Sequence, residues 1–157
     1  MAGSAIAIAD KVVLAIDAKT DYSNSLDPTT TRKLAPNTDA KGVEDVTDLI
    51  VMVTPTGLLA TIQTQGEVVE DYQVRVTVRG RIENDDDSND IDETEINKFL
   101  TFVSELQTQV VTYSDSETND LVVLQPYTND PLYDSGILEN GVFYSVTEFT
   151  FRDYKGV

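Results

Sequence analysis

The strongest structural signal in the sequence is a strict alternation of apolar and polar residues over positions 70–82. One set of alternate positions is apolar: Tyr72, Val74, Val76, Val78 and Ile82. The intervening positions are polar or charged: Asp71, Gln73, Arg75, Thr77, Arg79 and Arg81. Because successive side chains of a strand point to opposite sides of a sheet, the pattern predicts a long strand with one buried and one polar face.

The segments around this strand alternate between helical and extended patterns. Ser4 is a candidate N-cap for a helix that ends near Ala18, and Ile8, Val12 and Ile16 form its apolar stripe. A second helix is predicted over residues 92–111, with acids in the first turn and this apolar stripe: Ile96, Phe99, Leu100, Val103, Leu106 and Val110. These are the remaining predicted features: strands over 29–34, 48–54, 58–65, 121–124 and 142–152, a turn at 55–57, and a loop over 126–141.

The order of helices and strands predicts an α+β fold with a mostly antiparallel sheet and two helices packed on one face. No repeat or linker divides the 157 residues, so a single domain is expected over residues 1–157. Both faces of the strand over 48–54 are apolar. It is therefore expected to be central and covered on both sides, or covered by a partner.

Composition narrows the classes of function. The chain has no cysteine and no histidine, which removes disulfides, thiolate zinc sites and the commonest general base. We therefore expect neither an enzyme nor a cofactor. The formal net charge is −17, with 28 acids against 11 bases, and a chain of this charge repels nucleic acid and anionic lipid. No apolar run is long enough to span a bilayer, and residues 5–9 lack the basic flank of a secretory signal.

An acidic loop follows the long strand and offers the best candidate for a metal site. A calcium-loop pattern can start at Asp85 and continue through Asp87 and Asn89. It then fails, because Asp90 stands where the turn glycine belongs and Ile96 where the bidentate glutamate belongs. A solvated loop followed by acids at a helix N-terminus is the favoured interpretation, and no metal is expected.

Arg75, Arg79 and Arg81 form a basic stripe on the polar face of the long strand. Nucleic-acid binding is disfavoured, because the chain is strongly acidic and no aromatic residue interrupts the stripe. Pairing with carboxylates is favoured, either across the sheet or on a neighbouring subunit. Tyrosines such as Tyr133 are candidate interface anchors, with placement at the edge of the core as the alternative.

Several local sequences, taken in order, resemble the tail terminator (head–tail joining, or neck) proteins of long-tailed phages. The resemblance covers nearly the whole chain, apart from residues 22–45. It rests on these features: the N-terminal helix, Arg32-Lys33-Leu34, the strand ending in Val53-Thr54-Pro55, the strand over 72–82, the helix with Phe99, Leu100, Val103, Glu105 and Leu106, and the close from Asn129-Asp130-Pro131-Leu132-Tyr133 through Phe143-Tyr144-Ser145-Val146 to Phe151-Arg152.

The resemblance implies a structural virion protein at the head–tail junction, assembled in the host cytoplasm. It implies a homohexameric ring that sits on the last ring of the major tail tube protein, stops tube growth and docks the head connector. Double-stranded DNA would pass through the ring without specific binding. Arg75, Arg79, Arg81, Asp130 and Tyr133 are the candidate subunit-interface residues. These are the candidate acids facing the lumen: Asp85, Asp86, Asp87, Asp90, Asp115 and Asp120.

Three other functions remain open from the sequence. The chain is also compatible with another neck component, such as a head-completion (stopper) protein. An acid-rich chain is compatible with a calcium-dependent binding module of a secreted or surface system. An enzyme that works with two carboxylates is a more distant alternative.

Overall fold

A computed structural model describes residues 5–33, 49–64, 66–82, 93–113, 121–129, 132–134, 138 and 141–156. Within them, three strands follow the first α-helix and two strands follow the second. Their bounds are α1 Ala5–Ala18, β1 Thr29–Arg32, β2 Ile50–Thr64, β3 Glu67–Arg81, α2 Glu93–Thr112, β4 Leu121–Asn129 and β5 Val142–Gly156. The predicted α+β class is confirmed.

The five strands form one sheet in the order β1-β2-β3-β5-β4. Strands β2, β3, β5 and β4 are antiparallel to their neighbours, whereas β1 runs parallel to β2 and makes the sheet mixed. The long strand predicted from the period-two pattern is β3. It lies at the centre and pairs along its whole length with β5.

One face of the sheet packs against both helices and forms the core. Val74 and Val76 of β3 are about 1% exposed or less, and α2 contributes Phe102 and Leu106, both fully buried. Gly80 permits the close approach of α2, because a Cβ at this position would lie 2.8 Å from Phe99 Cζ. The Phe99 ring in turn stacks on Phe143 of β5, with ring centroids 5.2 Å apart.

We call the opposite side of the sheet the distal face. It carries the odd-numbered residues of β3, and the register places the even-numbered residues of β5 beside them. At the centre of this face Met52, Thr77 and Val146 lie side by side on three strands, and each is at most 4% exposed. Strand β2 is thus buried on both faces at this level, as the sequence predicted.

Several predicted boundaries were wrong; β3, for example, begins at Glu67 and β1 ends at Arg32. The chain does not turn at residues 55–57, because β2 continues through them with a shift of register between Pro55 and Gly57. Such a bulge accommodates an extra residue without ending the strand. The loop predicted over residues 126–141 begins later, because β4 extends to Asn129. Strand β5 continues past Arg152 to Gly156, where it pairs with Glu67 of β3.

Candidate self-association surface

The charged residues of the distal face are arranged as a ladder across β3 and β5. Arg152 of β5 donates two hydrogen bonds to Asp71 of β3, from Nε at 2.8 Å and Nη2 at 2.9 Å. This interaction lowers the pKa of the Asp71 carboxyl below its ordinary value. Arg75 of β3 donates to Glu148 of β5, from Nη2 at 2.7 Å. For Arg75, the structure therefore favours the internal pairing that the sequence left open.

Arg79 interrupts this ladder. Its neighbours across the strands are Ile50 of β2 and Tyr144 of β5, neither of which has a carboxylate. The side chain is only 8% exposed, and it makes no hydrogen bond or ion pair with any residue that the structure describes. A buried arginine without a hydrogen bond or an ion pair is unusual, because buried charges in proteins are normally paired.

Two other predicted interface residues lie near Arg79. Arg81 is exposed and sits opposite Val142, in the last residue pair between β3 and β5. Tyr133 is 42% exposed and precedes Asp134, whose backbone N–H donates to the carbonyl of Tyr144 at 3.1 Å. The fold therefore brings Arg79, Arg81 and Tyr133 to the same end of β3 and β5, and it separates Arg75 from them along the strand.

The remaining candidate residues lie outside the described residues. Asp130 belongs to this group, and so do all six candidate lumen acids: Asp85, Asp86, Asp87, Asp90, Asp115 and Asp120. The partial calcium-loop pattern falls in the same undescribed part of the chain. Among the residues that the structure describes, no group of three acids could hold a metal ion.

A second feature, which the sequence analysis did not single out, is a groove of about 620 Å³ between the end of α1 and the segment leading to β1. We call it the α1 groove; its lining includes Asp17, Asp21 and Asp27. Asp21 is paired with Lys19 at 3.0 Å, and this hydrogen bond lowers the pKa of the Asp21 carboxyl. Asp17 and Asp27 are exposed and make no ion pair with any described residue.

Tyr22 forms the apolar wall of the α1 groove. It is 4% exposed, its hydroxyl donates to the carbonyl of Ile16 at 2.9 Å, and its ring packs against Phe102 with centroids 4.9 Å apart. Burial raises the pKa of the Tyr22 hydroxyl, and the negative charges of Asp17 and Glu105 raise it further. The groove is therefore a rigid surface with negative charge at its rim.

No protein-family model matches this chain, and no curated protein matches it either. Neither helix that the structure describes is both long and apolar enough to cross a membrane.

Proposed function

We propose that this chain is a structural virion protein of the tail terminator type. In this role it forms a ring, most simply a hexamer, on the head-proximal end of a phage tail tube. The ring ends polymerisation of the major tail tube protein and joins the tail to the head connector or stopper protein. DNA passes through its lumen, and the protein itself catalyses no reaction.

The observation that carries the proposal is the arrangement of the resembling segments in one α+β domain. The N-terminal helix, the long β3 strand, the second helix and the closing β5 strand follow in the order that the resemblance requires. Both helices cover one side of the sheet. Neither of the two described helices packs on the distal face, which carries the ladder of ion pairs between β3 and β5.

A ring also requires an interface between subunits, and the described surface offers residues suited to one. A closed ring of identical subunits needs a head-to-tail interface, in which two different patches of the same chain meet. The surroundings of Arg79 offer one patch, with a buried arginine and an exposed tyrosine. Arginine and tyrosine are the residue types most enriched at protein interfaces.

The charge of the chain supports passage of DNA without binding. Six copies at −17 each would carry −102 formal charges. An acidic wall repels phosphate and keeps a duplex from adhering to it. The candidate lumen acids, named above from the sequence, would supply this wall.

Deleting the gene from the phage that encodes it tests the proposal. Tube polymerisation should then continue past its normal end, so electron microscopy of lysates should show unattached heads and tails of variable, excessive length. Supplying the protein in trans should restore tails of uniform length. Tails of normal length beside heads that lose their DNA would contradict the proposal and indicate a head-completion protein.

A further inference from the structure

Among the residues that the structure describes, Arg79 has no counter-ion, whereas Arg75 and Arg152 of the same face are each paired with a carboxylate. Asp71 with Arg152, and Arg75 with Glu148, each join β3 to β5. At the level of Arg79 the register supplies Ile50 and Tyr144 instead. The sheet therefore holds one arginine, 8% exposed, in a setting that provides no carboxylate among the described residues.

The guanidinium of Arg79 is suited to bind a carboxylate of a partner molecule. It lies beside Met52, Thr77 and Val146, which are at most 4% exposed, and opposite Ile50 and Tyr144, which are half-buried. Removing a charge from water without a counter-charge is costly, and a partner carboxylate would offset that cost. The planar guanidinium fork also matches a carboxylate with two parallel hydrogen bonds, which makes the site selective for that group.

A second copy of this chain is the partner that the proposed ring requires, and opposite charges at the contact would offset the repulsion between two net charges of −17. At a net charge of −17, each copy offers many carboxylates. Among the described residues, the exposed acids without an ion pair are Asp17, Asp27 and Glu93. Glu93 lies in the first turn of α2, where the helix dipole already stabilises it. Asp17 and Asp27 both line the α1 groove.

Arg79 lies on the central strand and belongs to the distal face, whereas the α1 groove lies at the β1 edge of the sheet, beside the end of α1. Thr29, Ile50, Arg79 and Tyr144 form one row across β1, β2, β3 and β5. Asp27 comes two residues before Thr29, so it lies at the β1 edge of this row. Tyr133 lies at the other edge, beyond Tyr144. A contact between two different parts of the surface is head-to-tail and can close into a ring.

We propose that Arg79 of one copy binds the Asp17 and Asp27 carboxylates in the α1 groove of the next copy. The inference rests on the proposed ring and names the chemistry of its interface. Arg81 and Tyr133 would lie at the rim of the same contact, where Arg81 adds positive charge and Tyr133 adds exposed aromatic surface.

The first test replaces Arg79 by methionine and measures both folding and association. Arg79→Met keeps an unbranched apolar side chain on the distal face, so thermal melting of the monomer should be unchanged or higher. Sedimentation velocity over a series of concentrations should show self-association weakened at least about 30-fold. The control Arg75→Met removes an internal ion pair and should leave association within about 3-fold of wild type.

The second test exchanges the charges. Arg79→Glu alone and the double variant Asp17→Arg, Asp27→Arg alone should each fail to associate. An equal mixture should associate again, because alternating subunits restore opposite charges at every contact of an even-numbered ring. Circular dichroism checks that each variant is folded. If Arg79→Glu does not fold, the self-association of Arg79→Met, measured in the first test, decides the question.

Three results would overturn the inference. The first is a wild-type chain that stays monomeric at its highest soluble concentration. The second is an Arg79→Met variant that associates as tightly as wild type, and the third is a mixture of folded variants that does not recover. The gene-deletion experiment tests the proposed function independently of this interface. Overlong tails together with normal association of Arg79→Met would reject this interface and leave the proposed function standing.

Discussion

Two ion pairs join β3 to β5 on the distal face, Asp71 with Arg152 and Glu148 with Arg75. They differ in how far their side chains are exposed to solvent. The side chains of Arg152 and Asp71 are 28% and 15% exposed, whereas those of Arg75 and Glu148 are 38% and 42% exposed. The Asp71 pair is also held by two parallel hydrogen bonds. Because solvent screens exposed ion pairs, the Asp71 pair should contribute more to stability.

Replacing Asp71 by asparagine should lower the free energy of unfolding by about 1 kcal/mol at pH 7. The folded-state pKa of Asp71 lies below its ordinary value of 3.8. The stabilisation is therefore complete above pH 3.8 and is lost as the pH falls through the lowered folded-state pKa. Urea denaturation of wild type and Asp71→Asn at a series of pH values measures this difference.

Glu148→Gln serves as the matched control, because it removes the charge from the more exposed pair of the same ladder. Its effect at pH 7 should be smaller than that of Asp71→Asn. A difference between wild type and Asp71→Asn that stays constant down to the lowest pH would show that the Asp71 carboxylate is not the source of the stabilisation.

For individual residues, the sequence predicted which side chains share a face of the sheet, but it did not predict which carboxylate each arginine contacts. The period of two places Arg75 and Arg79 on one side of β3 from the sequence alone. Whether each meets a carboxylate depends on the register with β5, which sets Glu148 opposite Arg75 and Tyr144 opposite Arg79. Register is a long-range property, and the residues concerned are separated by more than sixty positions in the chain.

Helix α2 is anchored to the sheet by a polar contact as well as by its apolar side. Gln107 is 7% exposed, and its Nε2 donates to Asn129 Oδ1 at 2.9 Å and to Thr147 Oγ1 at 3.1 Å. Thr147 also donates to Asn129 at 2.9 Å. One glutamine thus links α2 to both β4 and β5.

Gln107→Ala should therefore destabilise the protein by about 2 kcal/mol, because it removes two hydrogen bonds and leaves unfilled space beside a buried threonine. Urea denaturation followed by circular dichroism measures the change. Gln109→Ala is the control on the same helix, since Gln109 is partly buried and donates one hydrogen bond, to the carbonyl of Ala15 in α1. An equal loss in both variants would contradict a special role for Gln107.

The apolar pattern located α2 to within one residue at each end but described its buried side incompletely. Phe102 is fully buried and was not in the predicted stripe, whereas Ile96 and Leu100, which were, are only partly buried. The reason is that α2 packs against Tyr22 as well as against the sheet. A helix that packs against two partners buries a wider part of its circumference than a helix that packs against one. The stripe predicted for a single partner was therefore too narrow.

For the whole molecule, the surplus of carboxylates is the property that bears most directly on the proposed function. A conduit for DNA has to repel phosphate along its wall, and the candidate lumen acids are the residues proposed to do so. A change of their charge should therefore affect the passage of DNA more than the same change elsewhere on the surface.

Asp86→Lys combined with Asp87→Lys should slow DNA ejection from assembled particles, because lysines in the lumen attract the passing phosphates. Ejection kinetics, followed with a fluorescent DNA dye, measure the effect. Lysine at four exposed neutral positions of α2, namely Asn97, Thr101, Ser104 and Thr108, produces the same change in net charge. Similar kinetics in wild type and both variants would contradict a luminal position for Asp86 and Asp87.

The sequence by itself determined the fold class, the existence of the long strand β3 and the two sides of that strand. These features follow from periodicity, which is a local property of the chain. The tertiary structure decided that Pro55 lies in a bulge, that β1 makes the sheet mixed, and that Arg79 is buried with no counter-ion among the described residues. These outcomes depend on register and on burial between distant segments, and neither is encoded by spacing within a single segment.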